Sequence, residues 1–127
     1  MYADEGSLNE LSEQIIGCAF AVANTLGPGF LEKVYGNALA FELRSQNLAV
    51  QQQRAIIVKY REVIVGEYSA DLIVENAIII ELKATKAIDP AHAAQCRNYL
   101  KATGLRLCLL INFGAPRVEV RRIVQNL

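Results

Sequence analysis

Three charged residues stand where charge is costly: Asp71, then Glu81 and Lys83 in the run Ala77-Ile78-Ile79-Ile80-Glu81-Leu82-Lys83. Residues two apart on a strand leave the same face, so Glu81 and Lys83 point together. Charges that interrupt a central apolar strand need a reason, because burying an unpaired charge is unfavourable. One reason is structural, an ion pair of Lys83 with Glu81 or Asp71. The other is chemical: Asp71 and Glu81 bind a divalent cation, and Lys83 meets an anionic substrate. Hard oxygen ligands suit Mg²⁺ or Mn²⁺. The cation would polarise a phosphate oxygen and help generate hydroxide, while Lys83 stabilises developing charge or positions the attacking water. Spacing alone does not choose between the two reasons.

A shared site sets a condition on the turn between the strands. Asp71 must lie on the same face as Glu81, and paired residues of a hairpin share a face. A two-residue turn at Glu75-Asn76 would put Asp71 on the wrong side. A three-residue loop Val74-Glu75-Asn76, with Asn76 left-handed, gives the required parity, and that loop or a compensating bulge is expected.

The elements that must carry these residues follow from periodicity. A first helix is predicted from near Ser7, where Ser7 and Glu10 have capping-box spacing. Leu11, Ile15, Cys18, Val22 and Leu26 recur at helical spacing, and Gly27 is its stop. After Gly27-Pro28-Gly29, a second helix is expected over Leu31 to Gln46, with Leu31, Val34, Ala38 and Phe41 buried and Asn47 a left-handed cap. Strands are read at Ala55–Tyr60, Val63–Val74 with Gly66 as a bulge, and Ala77–Lys83. The last is expected to be central, being apolar at consecutive positions. Asp89-Pro90 opens a third helix that ends before Gly104. Leu105–Asn112 and Val118–Val124 complete the series.

Composition bounds the class. The chain has 127 residues, 53% of them hydrophobic and 20% charged, which fits a single domain over residues 1–127. No apolar stretch is long enough for a membrane span, and no secretory signal is read at the start. Three cysteines without a CxxC pair read as reduced thiols in a cytoplasmic protein, with no zinc site. Formal net charge is zero, which works against strong non-specific nucleic-acid binding. Local basic clusters remain, at Lys83, Lys86, Arg97 and Lys101 and at Arg117, Arg121 and Arg122.

The pattern Asp71…Glu81-Leu82-Lys83 resembles the D…(D/E)-x-K signature of the PD-(D/E)xK nuclease superfamily. Gly29-Phe30-Leu31-Glu32-Lys33-Val34-Tyr35 is similar to the G-x-x-E-x-x-Y motif that names one group within it. Gln95-Cys96-Arg97-Asn98-Tyr99 resembles the Q-x-x-x-Y element of exonuclease-like members. The three occur in the expected order across nearly the whole chain. The resemblance implies a restriction-endonuclease-like α-β-β-β-α-β core, a central mixed sheet flanked by helices. It implies Asp71 and Glu81 as metal ligands, Glu32 as an additional acidic group near or at the metal, Lys83 as catalytic lysine, and Gln95 with Tyr99 as a supporting pair. Ala70 stands where the superfamily has its nominal proline.

Tyr35, Lys86 and His92 are candidate substrate contacts, though Tyr35 also suits the core and His92 a plain surface position. Cys96 has no base nearby in sequence and is not read as a nucleophile. The implied activity is metal-dependent hydrolysis of phosphodiester bonds in DNA or RNA. The competing reading is a nuclease-fold module that binds nucleic acid or protein without turnover. Small nucleases of this fold often act as dimers, so a homodimer is expected.

Overall fold

In the computed structural model, which describes residues 4–126, the chain runs α1 (Glu5–Leu26), α2 (Glu32–Ser45), β1 (Val50–Tyr60), β2 (Val63–Val74), β3 (Ile78–Lys83), α3 (Pro90–Thr103), β4 (Leu107–Asn112) and β5 (Glu119–Val124). The five strands form one mixed sheet in chain order. Neighbours are antiparallel except β3 and β4, which run parallel and are joined through α3.

Two hydrophobic layers cover the sheet. On one side α1 and α2 pack over Leu72, Val74, Ile78, Ile80 and Leu82. On the other, Cys96, Tyr99 and Leu100 of α3 pack over Ile73, Ile79, Cys108 and Leu110. β3 and β4 are therefore covered on both faces, as the unbroken apolar runs predict. Each buried Ile or Leu there contributes about 1.5–3 kcal/mol.

Several local expectations shift. The cap of α1 is Asp4, whose carboxylate accepts from the Ser7 N–H, so the helix begins one turn before the Ser7 box. The stripe Leu31, Val34, Ala38 and Phe41 is not the buried face of α2. Leu31 and Phe41 are 79% and 71% exposed, and Tyr35, Gly36, Leu39, Ala40 and Leu43 face inward instead. Gly36 explains the rotation: a Cβ there would meet Leu82 Cδ1 at 3.2 Å, so α2 sits on the sheet through its smallest residue. β1 starts at Val50, five residues early, because Gln51–Gln53 lie on an exposed edge strand with no apolar alternation to reveal them. The irregularity expected at Gly66 is real: Val58 pairs with Gly66 and Lys59 with Ile64, which leaves Val65 unpaired. Asn47 is left-handed as expected, and α3 is capped by Asp89 and stopped by left-handed Gly104.

Candidate active site

The hairpin β2–β3 meets the parity condition by a loop one residue later than expected. Val74 pairs with Ile78 around Glu75-Asn76-Ala77, with Glu75 and Asn76 both left-handed. Val74 is buried and β-branched and keeps its place in the strand. Continued one step, that register sets Asp71 opposite Glu81, where the shorter strand would have left them diagonal.

Backbone pairing stops one step short of that position, at Leu72 and Ile80. There the side chains take over. The Asp71 N–H donates to Glu81 Oε2 at 2.8 Å, and the Leu82 N–H donates to Asp71 Oδ2 at 2.7 Å. Each carboxylate thus satisfies a main-chain donor of the opposing segment and keeps its other oxygen for a further partner. Glu81 is 4% exposed. Burial, and then the charge of Asp71, push its carboxyl up to about 8.

Edge strand β1 explains why the ladder opens. Gln53 adopts φ 52°, left-handed in mid-strand, and stands opposite Asp71 between the pairs Gln52–Leu72 and Arg54–Ala70. Ala70 and Ile73 pack in the same layer although an odd number of residues apart, so the alternation of β2 breaks around Asp71. The Gln53 amide oxygen accepts from Ser69 Oγ at 3.0 Å.

Lys83 leaves the same face as Glu81 and Ile79, toward α3. Its ammonium works against the upward push on the Glu81 carboxyl. The chain after it is fixed by Asn112, which is fully buried at the end of β4. Asn112 accepts from the N–H groups of Thr85 and Gly114 and donates to the Thr85 carbonyl and Glu119. Gly114 lies so close that an added Cβ would come within 2.3 Å of the Thr85 backbone.

α3 supplies the roof. Tyr99 is 4% exposed, and burial followed by the charges of Glu81 and Asp71 push its hydroxyl up to about 12. Its hydroxyl is held in the protonated form, within electrostatic reach of both carboxylates. Gln95 lies one turn earlier and is half-buried. Cys96 is fully buried against Cys108 of β4, whose thiol is raised well above its usual range by the hydrogen bond between them and by burial. Neither thiol reaches solvent, and all three cysteines are free.

The remaining sequence candidates divide. Glu32 is the first residue of α2, on the other side of the sheet, and lines a cavity of about 330 Å³ with Lys33, Asn37, Gln53 and Asp71. No group of three or more His, Cys, Asp and Glu side chains is placed to hold a metal among the described residues, so Glu32 does not complete a cluster with Asp71 and Glu81. Tyr35 is not a substrate contact. Its ring is fully buried and stacked on Phe113 at 4.6 Å, and its hydroxyl donates to the Gly27 carbonyl and accepts from the Phe30 N–H. His92 is used locally, with Nδ1 accepting from the Asp89 N–H to close the capping box of α3. Lys86 is exposed in the loop after β3. Gln53 and Asn112 escaped the sequence reading; the one signal for Asn112 is an amide ending a wholly apolar strand.

Among solved structures the chain is similar to SSO0001, at 19% identity and a TM-score of 0.57, covering 94% of this chain and 59% of that one. It is also similar to an alkaline exonuclease of Laribacter hongkongensis, at 14% identity and a TM-score of 0.54, covering 99% of this chain and 73% of that one. These likenesses show the fold, a restriction-endonuclease-like core. No curated protein matches the sequence. No helix among the described residues is long and apolar enough to cross a membrane. A family model described as the PD-(D/E)XK nuclease superfamily matches residues 9–123, and the chain belongs to that superfamily.

Proposed function

We propose that this chain is a divalent-metal-dependent nuclease that hydrolyses phosphodiester bonds of DNA or RNA, within the G-x-x-E-x-x-Y group of its superfamily. The observation that carries the reading is the Asp71–Glu81 pair, two carboxylates set opposite one another where the ladder opens, with Lys83 on the face of Glu81. The donor set fits a hard cation. Each carboxylate has one oxygen beyond its main-chain bond, and the buried Glu81 carboxyl, held up to about 8 beside Asp71, favours a neutralising partner.

Asp71 and Glu81 would hold Mg²⁺ or Mn²⁺, which supplies Lewis-acid polarisation and charge neutralisation when bound. Lys83 offers an ammonium to the phosphate oxygens as negative charge develops. The Tyr99 hydroxyl would offer a hydrogen-bond donor to the site, and Gln95 an amide from the same helix. Glu32 adds negative charge from the α2 side, in the cavity that Asp71 also lines. The L. hongkongensis exonuclease, whose fold this chain shares, supports a nuclease reading without identifying a substrate.

The test is a cleavage panel of single-stranded, duplex and branched DNA and RNA with Mg²⁺ and Mn²⁺, run on the protein and on Asp71→Asn, Glu81→Gln and Lys83→Ala. Metal-dependent cleavage lost in each variant is the expected result. Folded protein inert on every substrate sinks the proposal. A second reading, a binding module without turnover, is favoured by one observation: two carboxylates rather than three acidic or imidazole groups are gathered at the site. It expects nucleic-acid or protein association that survives the same substitutions.

A further inference from the structure

A groove of about 620 Å³ lies between the distal half of the β1–β2 hairpin and α3. Ile57, Val58 and Lys59 of β1, Tyr68 of β2 and Asn98 and Lys101 of α3 line it. We propose that this groove is the lane by which one unpaired nucleic-acid strand reaches the carboxylates. The proposal deepens the nuclease reading and rests on nucleic acid being the substrate.

Three observations carry it. The groove presents two lysines and no carboxylate, in a chain of zero net charge, so the positive potential is local. Tyr68 is 52% exposed, and its ring lies 5.7 Å from that of Tyr99, inclined by 51°. Tyr99 in turn packs in one layer with Ala70 and Ile79, strand neighbours of Asp71 and Glu81, so two aromatic rings lead from the groove toward the acidic pair. The hairpin also runs well beyond the packed core, with Tyr60, Val63, Ile64 and Val65 each at least 60% exposed, and so forms a wall beside α3.

The choice of strand follows from the chemistry of the wall. An exposed tyrosine face gains by stacking only on a base whose own face is free, and in a duplex those faces are covered by neighbouring pairs. Two lysines suit a short run of phosphates, whereas a duplex grip needs a wider basic surface. The Tyr68 ring face and the Asn98 amide offer contacts that do not depend on base identity.

The test is fluorescence anisotropy with a labelled single-stranded oligonucleotide, and its duplex as comparison, in metal-free buffer containing chelator so that nothing is cut. Lys59→Glu/Lys101→Glu is expected to weaken single-strand binding at least about tenfold and to lower the salt slope by about 1.4, two phosphates' worth. Tyr68→Ala is expected to lose about tenfold while Tyr68→Phe binds like the parent. Arg121→Glu, exposed on β5 at the other edge of the sheet, serves as the control and is expected to change nothing. All four positions are at the surface, so circular dichroism should show the parent fold.

Unchanged binding in both lane variants, or an equal loss in Arg121→Glu, overturns the lane. Binding to duplex and not to single strand also overturns it and leaves the nuclease reading intact. Single-strand binding that depends on the lane, with no cleavage under any metal, upholds the lane and sinks the nuclease reading. A parent protein that binds neither form overturns the lane and leaves the nuclease reading to the cleavage panel.

Discussion

From Leu72 to Val74 and from Ile78 to Ile80, β2 and β3 are joined backbone to backbone, and all six residues are buried and apolar. One step further, the two strands are joined by carboxylates that reach across to N–H groups. The first half of the hairpin is held by hydrophobic burial that any close-packed side chain of the right size supplies. The second is held by two carboxyl groups whose geometry is set by their bonds to the main chain. Stability and chemistry are thus separated along one hairpin by a single residue step, and substitutions can pull them apart.

The largest effect is expected from Asp71→Asn and Glu81→Gln, which keep an acceptor for the main-chain N–H while removing a charge. Cleavage with Mg²⁺ or Mn²⁺ should fall at least about a thousandfold, about 4 kcal/mol of transition-state stabilisation, with folding retained. Initial rates on any substrate found active decide this, and a variant keeping a tenth of the parent rate would break the division between the two halves. Next comes Ile79→Ala in the buried half, expected to cost about 2–5 kcal/mol in urea unfolding. Its folded fraction should bind Mn²⁺ as the parent does, which isothermal titration checks.

A smaller effect separates the halves by pH. The Glu81 carboxyl is raised from 4.5 to about 8, so the folded state holds a proton that the unfolded chain releases. The stabilisation is fully present below the unfolded value and is lost as pH rises through the folded one. Metal-free protein should therefore melt at progressively lower temperature between about pH 5 and 8, and Glu81→Gln should flatten that slope. Smallest is Gln53→Gly, expected to change stability by less than about 1 kcal/mol, because relief of the left-handed strain opposes the entropy lost in ordering glycine. Gln53→Val, which disfavours that conformation, should destabilise by about 1–2 kcal/mol in thermal melts and so mark the backbone rather than the amide as what matters.

Most of the fold was legible because buried strands and capped helices leave strong patterns. Ile78–Ile80 and Leu107–Ile111 are apolar throughout, and Asp89, Pro90 and Gly104 bound α3 by local chemistry. The face of α2 was not legible, since Val34 and Phe41 are as apolar as Leu39 and Leu43. What selects between them is the contact of Gly36 with Leu82, a tertiary fact. At the site, Asp71, Glu81 and Lys83 were readable as charges in an apolar context, and the parity of their hairpin followed from counting. The opening of the ladder was not readable, because a left-handed glutamine leaves no mark in composition. For Tyr35 the core reading holds and the substrate contact does not: its hydroxyl is consumed by the Gly27 loop, and sequence does not say which hydroxyls are already satisfied.

The parallel pairing of β3 with β4 bears on the order in which the molecule assembles. β2 meets β3 by closing a three-residue loop, so Asp71 and Glu81 are brought together by a local contact. β4 reaches β3 only after the chain has travelled through α3, from Lys83 to Leu107, a closure of much greater sequence separation. The two acids are accordingly expected to meet while water still screens them, and to lose that water when β4 and α3 dock. Transition-state mapping should find Leu72→Ala and Ile80→Ala early and Leu110→Ala late. The acids come together in a short closure and are dehydrated in a long one.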